Sequence, residues 1–297
     1  MENVVELKDK KYPELLKKIK GAPKKLYYKG NWEDIFSAEG GPASGGKNCL
    51  AVVGSRRLTS YGRRMTQLLV SEIAASGITI VSGFMYGGDE AAHQATVEVG
   101  GRTIAVMPCG IDLIHPEYQE ELYQKILDNR GLILSEFEGN FPPALWTYPK
   151  RDRIVAGLSQ AVLVVEAGLV SGTFITVKHA RSFGRKVFAV PGPLTSEVSK
   201  GTAQMIKEGA EIVTEAKDVL KYFKLDSCLA GPSNSIGAMI KMSDQEKKIM
   251  ENLKREPLEA DGLARALSLP VSKISADLSL MQIKGFIKQE GNKYYVQ

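Results

Sequence analysis

At 297 residues, of which 43% are hydrophobic, the chain can bury a large core and is long enough for about two domains. Its three cysteines, Cys49, Cys109 and Cys228, are scattered, which excludes a disulfide framework or a thiolate metal site; no apolar run reaches the roughly 18 residues of a membrane helix or forms a signal core, so a soluble, cytoplasmic protein is expected. The formal net charge of +5 lies wholly in residues 1–30, where nine lysines face four acids, so any nucleic-acid affinity must come from local placement.

Residues 1–48 read as a basic N-terminal segment that ends in a Gly-rich loop, AEGGPASGGK at 38–47. From 49 to 225 short apolar runs alternate with amphipathic helical patterns. The runs are Leu50 to Val53, Ile78 to Val81, Thr103 to Met107, Leu132 to Ser135, Ala161 to Glu166, Val187 to Val190 and Glu211 to Val213. About seven such strands predict an α/β fold, a Rossmann-like, doubly wound and mainly parallel sheet with ligands at the strands' carboxyl ends.

Polar groups gather at those ends. After the first strand, Gly54, Ser55 and Arg56 form an anion loop: glycine permits close approach, serine donates and arginine offers a two-pronged grip on phosphate. Thr59 and Ser60 cap the helix that follows. After the second strand, SGFMYGGD brings Ser82 and Gly83 and leads into a helix carrying His93; it lacks a Walker lysine and a full dinucleotide fingerprint. The run FEGNFPPALWTYPKRDR reads as a loop that sets Phe141, Trp146 and Tyr148 beside Lys150, Arg151 and Arg153. Rings interleaved with cations suit single-stranded nucleic acid, because bases stack while cations hold the backbone. After the strand at 161–166, Ser171, Gly172 and Thr173 open a helix and aim free N–H groups at the sheet edge.

Other chemistry is excluded or weak. His93, His115 and His179 have no partners at metal spacing, and no nucleophile elbow is present, so neither metal nor cofactor is expected. Glu136 and Glu166 end strands and read either as bases or as orienters of nearby loops. Residues 226–240 read as a linker. In 241–297, the Ser243/Glu246 capping box opens the first of three helices; Gly285 stops the third, and a hairpin follows around Gly291-Asn292, which predicts a small winged-helix domain. Its third helix offers only Lys273 and Lys284 beside Asp277, leaving duplex binding and protein contact both open.

The ordered series VVGSR, VSG, GGDEAAH, GGRTIAV, RDRIVAGLS, VLVVEA, SGTFIT, GRKVFAVPG and SKG, spanning about residues 49–215, resembles the DNA-processing protein A (DprA/Smf) family. The resemblance implies an extended Rossmann-like domain with a winged helix. It implies a bacterial, sequence-independent single-stranded DNA binder that protects incoming DNA in natural transformation and helps load the RecA recombinase, acts as a homodimer and hydrolyses nothing. By matching motif, Gly54, Ser55, Arg56, Ser82 and Gly83 would line the DNA pocket, Lys150, Arg151 and Arg153 would supply cations, Ser171, Gly172 and Thr173 the opposite loop, and Trp146 a stacking ring. Tyr86 stands where the family generally has Arg, Asp152 where it has Asn, and Thr202 where it has Asn. Two other classes stay open: a phosphoribohydrolase-like enzyme, against which Thr176 stands where a catalytic Glu would sit, and a winged-helix regulator reading duplex DNA.

Overall fold

The computed structural model describes residues 3–36, 48–225, 243–283 and 286–296. The Gly-rich loop at 38–47, the linker at 226–240, Lys284 and Gly285 lie outside them. The chain divides into two compact units, Met1–Leu229 and Ala230–Gln297.

In the first unit the elements run β1 (Asn3–Glu6), α1 (Glu14–Lys17), β2 (Lys25–Gly30), α2 (Trp32–Phe36), β3 (Cys49–Val53), α3 (Ser60–Ala75), β4 (Thr79–Ser82), α4 (Gly88–Glu98) and β5 (Thr103–Val106). They continue with α5 (Glu120–Asp128), β6 (Leu132–Ser135), α6 (Thr147–Leu158), β7 (Ala161–Val164), α7 (Thr173–Ser182), β8 (Lys186–Ala189), α8 (Lys200–Lys207), β9 (Glu211–Ile212) and α9 (Ala216–Tyr222). One nine-stranded sheet results, in the order β1-β2-β6-β5-β4-β3-β7-β8-β9. The seven strands expected from the apolar runs form its parallel part. β1 and β2 come from the segment read as merely basic; they pair antiparallel, with Tyr27 opposite Ser135 across β2 and β6.

Alternation along the strands supplies two cores, because successive side chains point to opposite faces. Ala51, Val53, Val81, Ile104, Val162 and Val164 pack on one face with Ile154, Val155 and Leu158 of α6 and Val177 and Ala180 of α7. Leu50, Val52, Ile80, Leu163 and Phe188 face the other way, against Leu69, Val70 and Ile73 of α3, Ala92 and Ala95 of α4 and Leu220 of α9. Both faces are covered, as near-continuous apolar strands require. Strand order reverses at β3: the chain builds outward through β4, β5 and β6, then crosses back to place β7 on β3's other side. A crevice opens at such a reversal, beyond the carboxyl ends of the strands.

The second unit holds α10 (Asp244–Arg255), α11 (Ala260–Leu267), α12 (Val271–Ile283) and the hairpin β10 (Ile287–Glu290) and β11 (Lys293–Val296). Ser243 and Glu246 make the reciprocal cap, Oγ accepting from Glu246 N at 3.1 Å and the carboxylate from Ser243 N at 2.7 Å. Ile249, Leu253, Leu263, Ile274, Leu278, Met281 and Ile287 form its core. Three helices and a wing are present, as the sequence predicts. No helix among the described residues is long and apolar enough to cross a membrane.

Candidate nucleic-acid interface

The crevice at the reversal point is a pocket of about 370 Å³. Three strand-to-helix loops meet there. The β3–α3 loop brings Gly54, Ser55, Arg56 and Arg57; the β4–α4 loop brings Gly83, Met85, Tyr86 and Asp89; the β7–α7 loop brings Val170, Ser171, Gly172 and Thr173. Helix α6 closes the floor with Tyr148, Arg151, Asp152 and Val155.

The first loop is held by the strand beside it. Ser55 N donates to Glu166 O at 2.7 Å, and the buried Glu166 carboxylate accepts from Thr59 N at 2.9 Å and from Thr59 Oγ1 at 2.6 Å. Of the two sequence readings of Glu166, this geometry fits the loop orienter. Thr59 in turn caps α3 by accepting from Gly62 N at 3.2 Å. The held loop presents Ser55, whose Oγ accepts from Arg57 N at 3.0 Å, and the exposed Arg56. The Arg56 guanidinium carbon lies 5.2 Å from the Tyr148 ring centroid and 5.8 Å from that of Tyr86, within cation–π range of both. Tyr148 is anchored behind by a 2.9 Å hydrogen bond between its hydroxyl and His115 Nε2. Tyr86 thus sets a ring against the Arg56 guanidinium at the position where the resemblance leads one to expect an arginine. On the opposite loop Ser171 Oγ accepts from Thr173 N at 3.2 Å and donates to Thr173 Oγ1 at 3.0 Å, shaping the turn that starts α7.

The floor is acidic and tightly packed. Arg151 is 4% exposed, donates to Val106 O at 2.9 Å and lies between Asp89 (3.8 Å) and Asp152 (3.2 Å). Gly83 is required beside it, since a Cβ there would overlap the guanidinium and the Asp89 carboxylate. Burial raises the Asp89 pKa. Burial, then the neighbouring Asp89, also pushes Asp152 up to about 6, against the pull of Arg151. Burial lowers His93 to about 4; its ring is enclosed between Thr103 Oγ1 and Gly83 O, the position of a structural histidine. No cluster of His, Cys, Asp or Glu among the described residues could hold a metal ion.

Several expected site residues stand elsewhere. Residues 147–158, read partly as loop, form α6, and at 100° per residue the run Lys150-Arg151-Asp152-Arg153 points to different sides. Arg151 faces the pocket but is a buried strut rather than a free cation. Arg153 and Lys150 do not line the pocket: both are paired with Glu136, Arg153 through two bonds of 2.5 and 2.6 Å and Lys150 at 3.3 Å. Trp146 also lies outside the lining. It is 53% exposed in an aromatic group with Phe137 (5.7 Å) and Phe141 (6.1 Å), and Lys150 Nζ sits 5.6 Å above its ring. Ser82 is fully buried and donates to Val52 O at 2.6 Å, a support for the sheet edge rather than a ligand contact. The pocket gathers Gly54, Ser55, Arg56, Gly83, Arg151, Ser171, Gly172 and Thr173, and adds Tyr86, Tyr148, Asp89 and Asp152, which the motifs did not single out as pocket lining.

The family model for DNA recombination-mediator protein A matches residues 3–224, and that for the DprA winged helix domain matches 240–293. The chain belongs to the DNA recombination-mediator protein A family. It is 38% identical over 213 residues to DNA processing protein DprA of Streptococcus pneumoniae, covering 72% of this chain and 71% of that one, and 34% identical over 284 residues to Protein Smf of Escherichia coli, covering 93% and 72%. In structure this family member is similar to the S. pneumoniae DNA processing protein A (TM-score 0.67, 35% identity, 74% of each chain). It is similar also to DNA processing protein A of Helicobacter pylori (TM-score 0.64, 28% identity, 75% of this chain and 95% of that one), whose reported structure concerns a single-stranded DNA binding mode.

Proposed function

We propose that the protein binds single-stranded DNA through the pocket at the sheet's reversal point, gripping backbone phosphate with Arg56 and the Ser171–Thr173 turn, without cutting it. The observation that carries this reading is the exposed Arg56 guanidinium set between Tyr86 and Tyr148 beside backbone loops. A phosphate contact of this kind is indifferent to sequence along the strand. The aromatic group at Phe137, Phe141 and Trp146, with Lys150 over it, would continue the track as a base-stacking platform. Hydrolysis is disfavoured because Thr176, which lines the pocket from the start of α7, stands where the phosphoribohydrolases would carry a catalytic Glu.

In the cell the protein would shield incoming DNA in natural transformation and help load RecA, from the cytoplasm, as a homodimer. Two pockets on one strand make the second contact intramolecular and so strengthen a weak single site. The winged helix would be auxiliary: residues 241–297 hold ten basic and eight acidic residues, a small excess for a groove reader, and Asp277 on α12 accepts from Gln245. The test is a fluorescence-anisotropy titration comparing a labelled single strand, its duplex and a nucleoside monophosphate, with Arg56→Ala alongside. Preference for the single strand, lost in the variant, is expected. Wild-type affinity in the variant, or steady release of free base from the monophosphate, overturns the reading.

A further inference from the structure

The pocket floor carries two carboxylates around one buried cation. Arg151 faces Asp152 at 3.2 Å and Asp89 at 3.8 Å, so a single guanidinium serves both. Asp89 also accepts from the Met85 backbone, whereas Asp152 opens to the pocket it lines. Charged and titratable groups reach Asp152 from each neighbouring element. Helix α6 supplies Arg151 and Tyr148, α4 supplies Asp89 and the buried His93, the β3–α3 loop supplies Arg56 and Arg57, and the β4–α4 loop supplies Tyr86. Cys109, beyond Arg151, stays a thiol, and His115 stands behind Tyr148. The β7–α7 loop lines the pocket with Val170, Ser171, Gly172 and Thr173, none of them charged, and its Glu166 carboxylate is taken by Thr59. Phosphate arriving at Arg56 therefore sets a third negative charge in this pocket and engages a guanidinium that otherwise draws on Asp152.

We infer that the pocket takes up a proton on the Asp152 carboxyl when single-stranded DNA binds, so that affinity for the strand rises as the medium turns acidic. This deepens the single-stranded DNA reading and rests on it. A like charge nearby favours the neutral form of a carboxyl, as burial already does here. Once protonated, Asp152 offers an O–H donor to the pocket in place of a charge. The group starts at about 6 in the free protein, and an anion held across the pocket raises it by about one unit more. A bound-state pKa above the free one means that binding consumes a proton. Affinity therefore climbs as pH falls through about 7 to 6 and levels off below about 5. One unit sets a ceiling of about tenfold on the gain.

Anisotropy titration of a labelled oligothymidylate, whose bases do not titrate in this range, tests the coupling at constant ionic strength. Wild-type affinity is expected to rise about five- to tenfold from about pH 8 to about pH 5.5. Asp152→Asn is expected to change less than about twofold and to hold at about pH 8 the affinity that the wild type reaches only in acid. Calorimetry of the wild type near about pH 6.5 in PIPES and in bis-Tris, buffers of unlike ionisation enthalpy, is expected to show uptake of about half a proton per site. A wild-type affinity that ignores pH, a pH dependence that Asp152→Asn retains in full, or a binding heat indifferent to buffer overturns the inference. Binding that Arg56→Ala abolishes but that ignores pH separates the two readings: the DNA site stands and the proton coupling falls. Absence of binding to the oligomer at every pH removes both.

Discussion

Replacing Asp152 with asparagine removes a buried charge while keeping its shape. Burial, reinforced by Asp89, places the pKa of this group at about 6 against an ordinary value of 3.8. A folded-state pKa above the unfolded one means that the folded chain holds the proton more tightly. This group's contribution to stability is therefore most favourable in acid and declines as pH rises through about 4 to 6, levelling off above about 7. A difference of about two units, at about 1.4 kcal/mol per unit, sets the cost of the ionised carboxylate at roughly 3 kcal/mol near neutral pH and about half that near pH 5. Asp152→Asn should stabilise the first unit by up to about 3 kcal/mol near neutrality, a rise in Tm of roughly 6–12 °C, and by progressively less in acid, the two proteins converging near pH 4. Urea denaturation followed by tryptophan fluorescence measures this cleanly, because both tryptophans, Trp32 and Trp146, lie in Met1–Leu229. Equal stability at neutral pH, or a gain that does not shrink on acidification, would refute the account of Asp152 as a buried charge that Arg151 compensates only in part.

Arg56→Ala should weaken single-strand binding to every backbone sequence alike and reduce the slope of log affinity against log salt by about 0.7 for each phosphate that the arginine no longer neutralises; anisotropy titrations at several salt concentrations read both. Gly83→Ala forces a Cβ into Arg151 and Asp89 and should cost about 1–3 kcal/mol, visible as a lowered urea midpoint. Glu136→Ala strands Arg153 and Lys150, whose shared carboxylate is 17% exposed, and should cost about 2–4 kcal/mol in the same assay. Deleting residues 241–297 should leave single-strand affinity largely intact; its abolition, measured by the same titration, would assign the binding to the winged helix instead.

The central parallel strands were legible because strands buried on both faces are apolar nearly throughout, and the anion loops because Gly, Ser and Thr cluster after β3, β4 and β7. The N-terminal strands were not. Both are short; β2 carries Lys25 and Lys29 near its ends and joins the sheet through β6, a hundred residues away, a relation no local pattern records, and β1 joins only through β2. The RDR motif was legible as chemistry but not as geometry. Its placement depended on seeing that α6 starts at Thr147, and Pro149, which is tolerated in a first helical turn, reads locally as a loop residue. Once residues 150–153 are helical, one arginine must point at the pocket and another away from it. The tyrosines flanking Arg56 come from two separate loops, and their convergence follows only from the folded sheet.

Pairing of β2 with β6 also bears on how the chain comes off the ribosome. Residues 25–30 must wait for residues 132–135, about a hundred residues and so roughly 5–20 s of synthesis, before their outward N–H and C=O groups find partners. During that interval they are a free strand edge, open to pairing with another nascent chain. The lysines crowded into residues 8–29 surround that edge with like charge. On this view the positive excess of the whole protein serves assembly of the sheet, a task finished before any DNA is met.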